Sequence, residues 1–137
     1  MIVDASVLLS AFFPDEAQTK AQAIVRDHIA GKHRLKAPTL LLYELSNAVW
    51  QAERRKRITR VQADEIIQAF TGLDIELMAL AWGEMLPQAR QFNCSVYDAS
   101  YLALAARLGE PLVTGNERLY NAVHPHLEWV SLIENYQ

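Results

Sequence analysis

One cysteine among 137 residues, Cys94, excludes an intramolecular disulfide framework and suits a reducing compartment. Five glycines and five prolines are scattered along the chain, so there is no flexible linker, low-complexity tract or internal repeat. No run of about 18 apolar residues occurs, and the start lacks a basic segment leading into an apolar one. The expectation is a soluble, cytoplasmic protein that does not enter a membrane. Positive charge is not in excess either: 13 Lys and Arg stand against 16 Asp and Glu, for a net charge of -3. A global field attracting nucleic acid is thereby excluded, and any such contact has to be local. A Gly-rich phosphate loop is missing, which argues against nucleotide binding. His124 and His126 have no Cys or third His nearby to complete a zinc set.

What the chain does have is apolar residues, 51% of the total, enough to bury one core in one domain spanning residues 1–137. Met1-Ile2-Val3 reads as a short buried strand with Asp4 directly after it. Two helices are expected before Gly31, split near Pro14, the second over Asp15 to Ala30. Leu35 to Ala37 reads as a strand, and Pro38 opens a long apolar helix to Trp50 with a charged exit from Glu53 to Arg60. Val61 to Phe70 has helical spacing up to Gly72, Ile75 to Leu80 reads as a strand, and Trp82 to Phe92 as a helix. Ser95 to Leu108 is the clearest helix, stopped by Gly109 and Pro111. Leu112 to Thr114 is a strand, Asn116 to Val123 a short helix, and Leu127 to Leu132 a last strand. Short strands alternating with helices predict βαβ units, hence an α/β fold: a three-layer α/β/α sandwich around a mainly parallel sheet. Trp50, Trp82 and Trp129 sit in apolar settings and are expected in the core.

This topology brings acids together. Ligands of an open parallel sheet bind beyond the carboxyl ends of its strands. Asp4 is at that end of the first strand. Asp98 lies in the first turn of a helix leading into a strand, and Glu44 in the first two turns of a helix leaving one, so both face the same edge. Asn116 and Glu117 follow the strand ending at Thr114. Glu44 carries the most independent weight: Leu40, Leu41 and Ala48 share its helix face, and no Lys or Arg within a turn can pair with it. Asn47, three residues on, is the polar neighbour able to orient it. Oxygen donors of this kind suit Mg²⁺ or Mn²⁺ rather than Zn²⁺. Each residue has a plainer role open to it: Ser95 to Asp98 spells a capping box, Asp4 can be a polar strand end, Glu44 can face solvent, and Asn116 can be a helix N-cap.

Ile2-Val3-Asp4-Ala5-Ser6, the segment from Pro38 through Tyr43-Glu44-Leu45-Ser46-Asn47-Ala48, Tyr97-Asp98-Ala99-Ser100-Tyr101-Leu102-Ala103, and Pro111-Leu112-Val113-Thr114-Gly115-Asn116-Glu117-Arg118-Leu119 together resemble the PIN-domain ribonucleases. The closest likeness is to the toxin members of VapBC-type toxin-antitoxin pairs. Singly the motifs are short; all four in order, nearly end to end, are specific. The resemblance implies a PIN-like sandwich and an endoribonuclease dependent on Mg²⁺ or Mn²⁺. It makes Asp4, Glu44 and Asp98 the metal-binding and catalytic acids, with Ser6, Asn47 and Thr114 in support. It also implies an antitoxin protein as partner and a homodimer. Hydrolysis assisted by a metal needs no covalent nucleophile from the chain. One departure stands out: the family commonly has Asp where this chain has Asn116, so a second ion would be held less tightly, with Glu117 as a substitute ligand.

Glu53 to Arg60 is the densest basic run. Its Arg54, Arg55 and Arg57 are candidate contacts for RNA or an acidic partner, against the plainer reading of a solvated helix exit. Two other classes of function compete. One is a catalytically weak RNA- or partner-binding protein whose Asn116 marks a degenerate site. The other is a phosphoryl-transfer or receiver-type domain, which is disfavoured because no second acid follows Asp4 within ten positions.

Overall fold

In chain order the elements are β1 (Ile2–Val3), α1 (Ala5–Phe12), α2 (Thr19–Ile29), β2 (Lys36–Pro38), α3 (Leu40–Arg54), α4 (Arg60–Gly72) and β3 (Glu76–Met78). Then follow α5 (Trp82–Phe92), α6 (Val96–Leu108), β4 (Leu112–Thr114), α7 (Glu117–Val123), β5 (Val130–Leu132) and a 3-10 turn, Ile133–Asn135. The structure, a computed structural model, describes all residues 1–137. The five strands form one parallel sheet in the order β3-β2-β1-β4-β5. From β1 the chain steps outward to β2 and β3, then crosses back to β4 and on to β5. With right-handed crossovers, that reversal puts α1 to α4 on one face and α5 to α7 on the other. The result is the expected α/β/α sandwich.

Reversal also creates a switch point between β1 and β4, the two strands from which the chain departs in opposite directions. A crevice opens there at the carboxyl ends. Ile2, Val3, Leu112 and Val113 are almost wholly buried, as strands covered on both faces require. Helix α6 packs between the sheet and α5, and the run from Ala99 to Ala105 is buried continuously. It has almost no polar stripe because almost none of its circumference meets water. Ser95 starts it by accepting from the Asp98 N–H (3.0 Å), and Gly109 ends it at φ +64°, a left-handed cap that a side chain would strain.

Element boundaries differ from expectation where local hydrogen bonds intervene. The last strand begins at Val130 rather than Leu127, because the His126 and Leu127 N–H groups fold back onto the Val123 carbonyl. Helix α2 begins at Thr19 rather than Asp15, since the Glu16 and Ala17 N–H groups close a turn onto Phe13 and the Gln18 side chain caps at Ala21 N. The second strand starts one residue late, at Lys36, because the buried His28 ring takes the Leu35 N–H (3.0 Å). Two tryptophans are not in the core. Trp82 is 98% exposed as the first residue of α5, a helix that buries only Phe92, and Trp50 is half exposed with the Arg54 guanidinium 5.7 Å from its ring. Trp129 does pack against the main core. No helix is long and apolar enough to cross a membrane.

Candidate metal and active site

Asp4 is held at the switch point from three sides. Burial of β1 leaves it 8% exposed, and it caps α1 by accepting from the Ser6 N–H (3.1 Å). The Ser6 hydroxyl donates to the same carboxylate oxygen, and the Thr114 hydroxyl at the end of β4 donates to the other. These two hydroxyls in turn receive the Gly115 N–H (2.7 Å at Ser6) and the Asn116 N–H (3.0 Å at Thr114). The loop after β4 is thus fastened to the start of α1 through the acid between them. Gly115 is needed for the closeness: a Cβ there would lie 2.8 Å from Ile133 Cδ1 and 3.1 Å from the Ser6 hydroxyl.

Despite three charge-favouring hydrogen bonds, the Asp4 carboxyl is pushed up from its ordinary 3.8 to about 6. Burial is the main cause, and the nearby Glu44 carboxylate adds to it. Glu44, half-buried on α3, is raised as well, first by burial and further by Asp98, against the lowering influence of a hydrogen bond from Tyr101. That bond, from the Tyr101 hydroxyl to Glu44 Oε1 at 2.5 Å, passes over the sheet edge from α6 on one face to α3 on the other. Tyr101 is 2% exposed, and its own ionisation is pushed far up by burial and by the three acids around it. Asp98 is partly exposed in the first turn of α6; its N–H uses the Ser95 cap, but its carboxylate bonds to nothing in the protein, so the reciprocal half of a capping box is not made.

The acids therefore stand as a chain in which the Asp98 carboxylate disfavours ionisation of Glu44 and the Glu44 carboxylate that of Asp4, and no Lys or Arg is paired with any of them. They are not closed into a tight cluster: no three Asp, Glu, His or Cys side chains are grouped to hold one ion among themselves. An all-oxygen donor set with uncompensated negative charge fits a hard dication. Its openness fits Mg²⁺, which keeps several waters and takes one or two carboxylates directly.

The other expected residues fall differently. Asn47 is exposed and makes no bond to Glu44; its face of α3 has turned to solvent, and Tyr101 does the orienting. Asn116 caps α7 by accepting from the Leu119 N–H at 3.1 Å, so its side-chain oxygen is already engaged. Glu117 is exposed in the first turn of α7. Arg57 is spent on the fold: it forks onto Asp15 (3.0 Å twice) and reaches Glu16 (3.2 Å), with its guanidinium over the Phe13 ring. Arg54 stacks on Trp50, and Arg55 makes no ion pair. Tyr101 had a signal in the sequence, since it lies three residues after Asp98 and so on the same helix face.

A parallel α/β sheet covered on both faces, with uncompensated acids at the β1/β4 switch point, presents carboxylate oxygens rather than a nucleotide-binding loop at the edge where such folds take ligands. Sequence comparison specifies it further: the PIN domain family model matches residues 1–124, and the chain belongs to that family. It is 28% identical over 123 residues to Ribonuclease VapC3 of Pyrobaculum aerophilum, an alignment covering 87% of this chain and 91% of that protein. The crystal structure of PAE2754 from Pyrobaculum aerophilum shares the fold with a TM-score of 0.75 at 24% identity, over 97% of this chain and 83% of that one.

Proposed function

We propose that this chain is a VapC-type toxin, an endoribonuclease dependent on Mg²⁺ or Mn²⁺, with Asp4, Glu44 and Asp98 as its metal-binding and catalytic acids. The observation that carries the reading is the chain of three carboxylates at the switch point with no cation to balance them. Likeness to Ribonuclease VapC3 supports the substrate class. A dedicated antitoxin protein as partner belongs to the same reading, and the resemblance of the motifs to the VapBC-type toxins adds the expectation of a homodimer in the cytoplasm.

A bound divalent ion supplies activation of a water and compensation of charge on the phosphoryl oxygens. The protein's part is orientation. Ser6 and Thr114 fix both Asp4 oxygens, so this carboxylate presents a set direction to a ligand. Tyr101 occupies Glu44 Oε1 and leaves Oε2 free for a cation or a proton. The Asp98 carboxylate is uncommitted and can swing onto a ligand at small cost. Asp4 and Glu44, whose ionisation burial and neighbouring acids disfavour, would be held in the charged form by a cation at this edge.

A second reading, a binding protein with a degenerate site, draws on Asn116, whose oxygen is committed to the α7 cap. Incubating purified protein with labelled single-stranded RNA in Mg²⁺, Mn²⁺ or EDTA separates the two. The nuclease reading expects cleavage with metal, none in EDTA, and loss by orders of magnitude in the Asp4→Asn, Glu44→Gln, Asp98→Asn triple variant. RNA binding without cleavage in any metal would favour the second reading.

A further inference from the structure

A cleft of about 370 Å³ starts at the active-site edge and runs between the outer side of α1 and the C-terminal half of α3. Its inner end is Ser6 and Gly115, the residues that tie the β4 loop to Asp4. Its outer end is lined by Ser10, Gln51 and Arg55. The three side chains make no hydrogen bond or ion pair in the protein, although each carries donors and Gln51 is only partly exposed. Arg57 and the Glu16 carboxylate also line the cleft, but they are paired with each other, and Arg57 with Asp15 as well. Arg55 is then the one unpaired cation along the walls, flanked by two neutral donors.

We propose that this cleft is a subsite for a backbone phosphate of single-stranded RNA, adjacent to the scissile phosphate, with Arg55, Gln51 and Ser10 as its ligands. It rests on the nuclease reading for the identity of the strand. Three features favour a phosphate diester over an acidic protein side chain. A guanidinium fork next to an amide and a hydroxyl matches several phosphate oxygens at once. The cleft volume falls within the range of small-ligand sites. And its floor is continuous with the Asp4 network, so a strand lying in it enters the acidic edge directly. One local cation also reconciles RNA binding with a net charge of -3.

The test is binding of a fluorescein-labelled oligouridylate to the full chain in EDTA, by anisotropy across a KCl series. Arg55→Gln is compared with Arg54→Gln, which removes the same charge one residue away, outside the cleft. Arg55→Gln is expected to weaken binding about five- to tenfold and to reduce the salt slope by about 0.7, the share of one phosphate contact. Gln51→Ala is expected to weaken binding about two- to threefold, as loss of a neutral hydrogen bond does. Arg54→Gln should move neither quantity beyond about a factor of two. Equal slopes for wild type and Arg55→Gln, or equal losses in both arginine variants, overturn the subsite. So does unchanged RNA affinity with weakened binding of a polyglutamate peptide, which would assign the arginine to a protein partner. Cleavage is scored separately in Mn²⁺: wild type that binds RNA with an Arg55-dependent slope yet never cuts it overturns the nuclease reading and supports the subsite.

Discussion

Asp4→Asn should make the metal-free protein more stable at neutral pH, although it removes an acid that three hydrogen bonds hold in place. The folded-state value of about 6 lies above the ordinary 3.8, so the folded protein binds this proton more tightly than the unfolded chain does. Stability is therefore highest when Asp4 is protonated, at about pH 4 and below as far as this group is concerned. It declines as pH rises from about 4 to about 6, and levels off above. At about 1.4 kcal/mol per pH unit, the gap between 3.8 and about 6 amounts to about 3 kcal/mol of cost at pH 7.5. Asparagine removes that cost but does not recover all of it. The Thr114 hydroxyl, which now donates to Asp4 Oδ2, would face an amide NH₂ or lose its acceptor, a loss of about 1 kcal/mol. The net gain is about 1–2 kcal/mol. Urea unfolding in EDTA at half-unit steps from pH 4 to 8 measures it. Wild type should lose stability between pH 4 and 6 while Asp4→Asn stays flatter and crosses above it near neutrality. A variant less stable than wild type at pH 7.5, with the same pH slope, would refute the burial and repulsion argument for this carboxylate.

Three other substitutions probe the supports. Tyr101→Phe removes the donor that lowers Glu44, so the acid limb of cleavage against pH should move to higher pH, while a purely structural tyrosine would lower stability and leave the limb in place. Gly115→Ala puts a methyl 2.8 Å from Ile133 and 3.1 Å from the Ser6 hydroxyl. It should cost about 1–3 kcal/mol in thermal or urea unfolding, as overpacking does, and weaken cleavage through displaced Ser6. Asn116→Asp keeps an oxygen for the Leu119 N–H and adds a charge at the edge. The concentration of Mn²⁺ for half-maximal cleavage should fall and the metal-free protein should melt lower; no change in either would leave this residue as a helix cap alone.

The layer order was legible because its signals are local: apolar strands at Ile2-Val3 and Leu112 to Thr114, a Ser cap before α6, and Gly109 after it. Strand ends were less so, because His28 taking the Leu35 N–H is a contact seven residues apart that no periodicity encodes. That Asp4, Glu44 and Asp98 reach one edge follows from the directions of strands and crossover helices, which sequence patterns do reveal. How each acid is held does not. Asn47 was the nearest polar neighbour along the chain, yet Glu44 is oriented by a tyrosine 57 residues away. Likewise Arg55 and Arg57 read alike in a basic run, and only the fold brings Asp15 and Glu16 to one and not to the other. Trp82 has apolar neighbours that read as core, yet it sits at the N-terminal end of α5 on the side away from α6, where nothing covers it.

If the uncompensated acids at the β1/β4 edge serve to hold a divalent cation, the metal-free protein binds one there. Calorimetric titration of Mn²⁺ into chelator-stripped wild type and Asp98→Asn at pH 7.5 tests it most directly. Asp98 is the right probe because its carboxylate has no partner in the protein, so its loss does not disturb the fold. Saturable binding is expected for wild type and binding at least about tenfold weaker for the variant, the loss of one charged ligand. No saturable binding to wild type, or equal affinity in the two proteins, would contradict it.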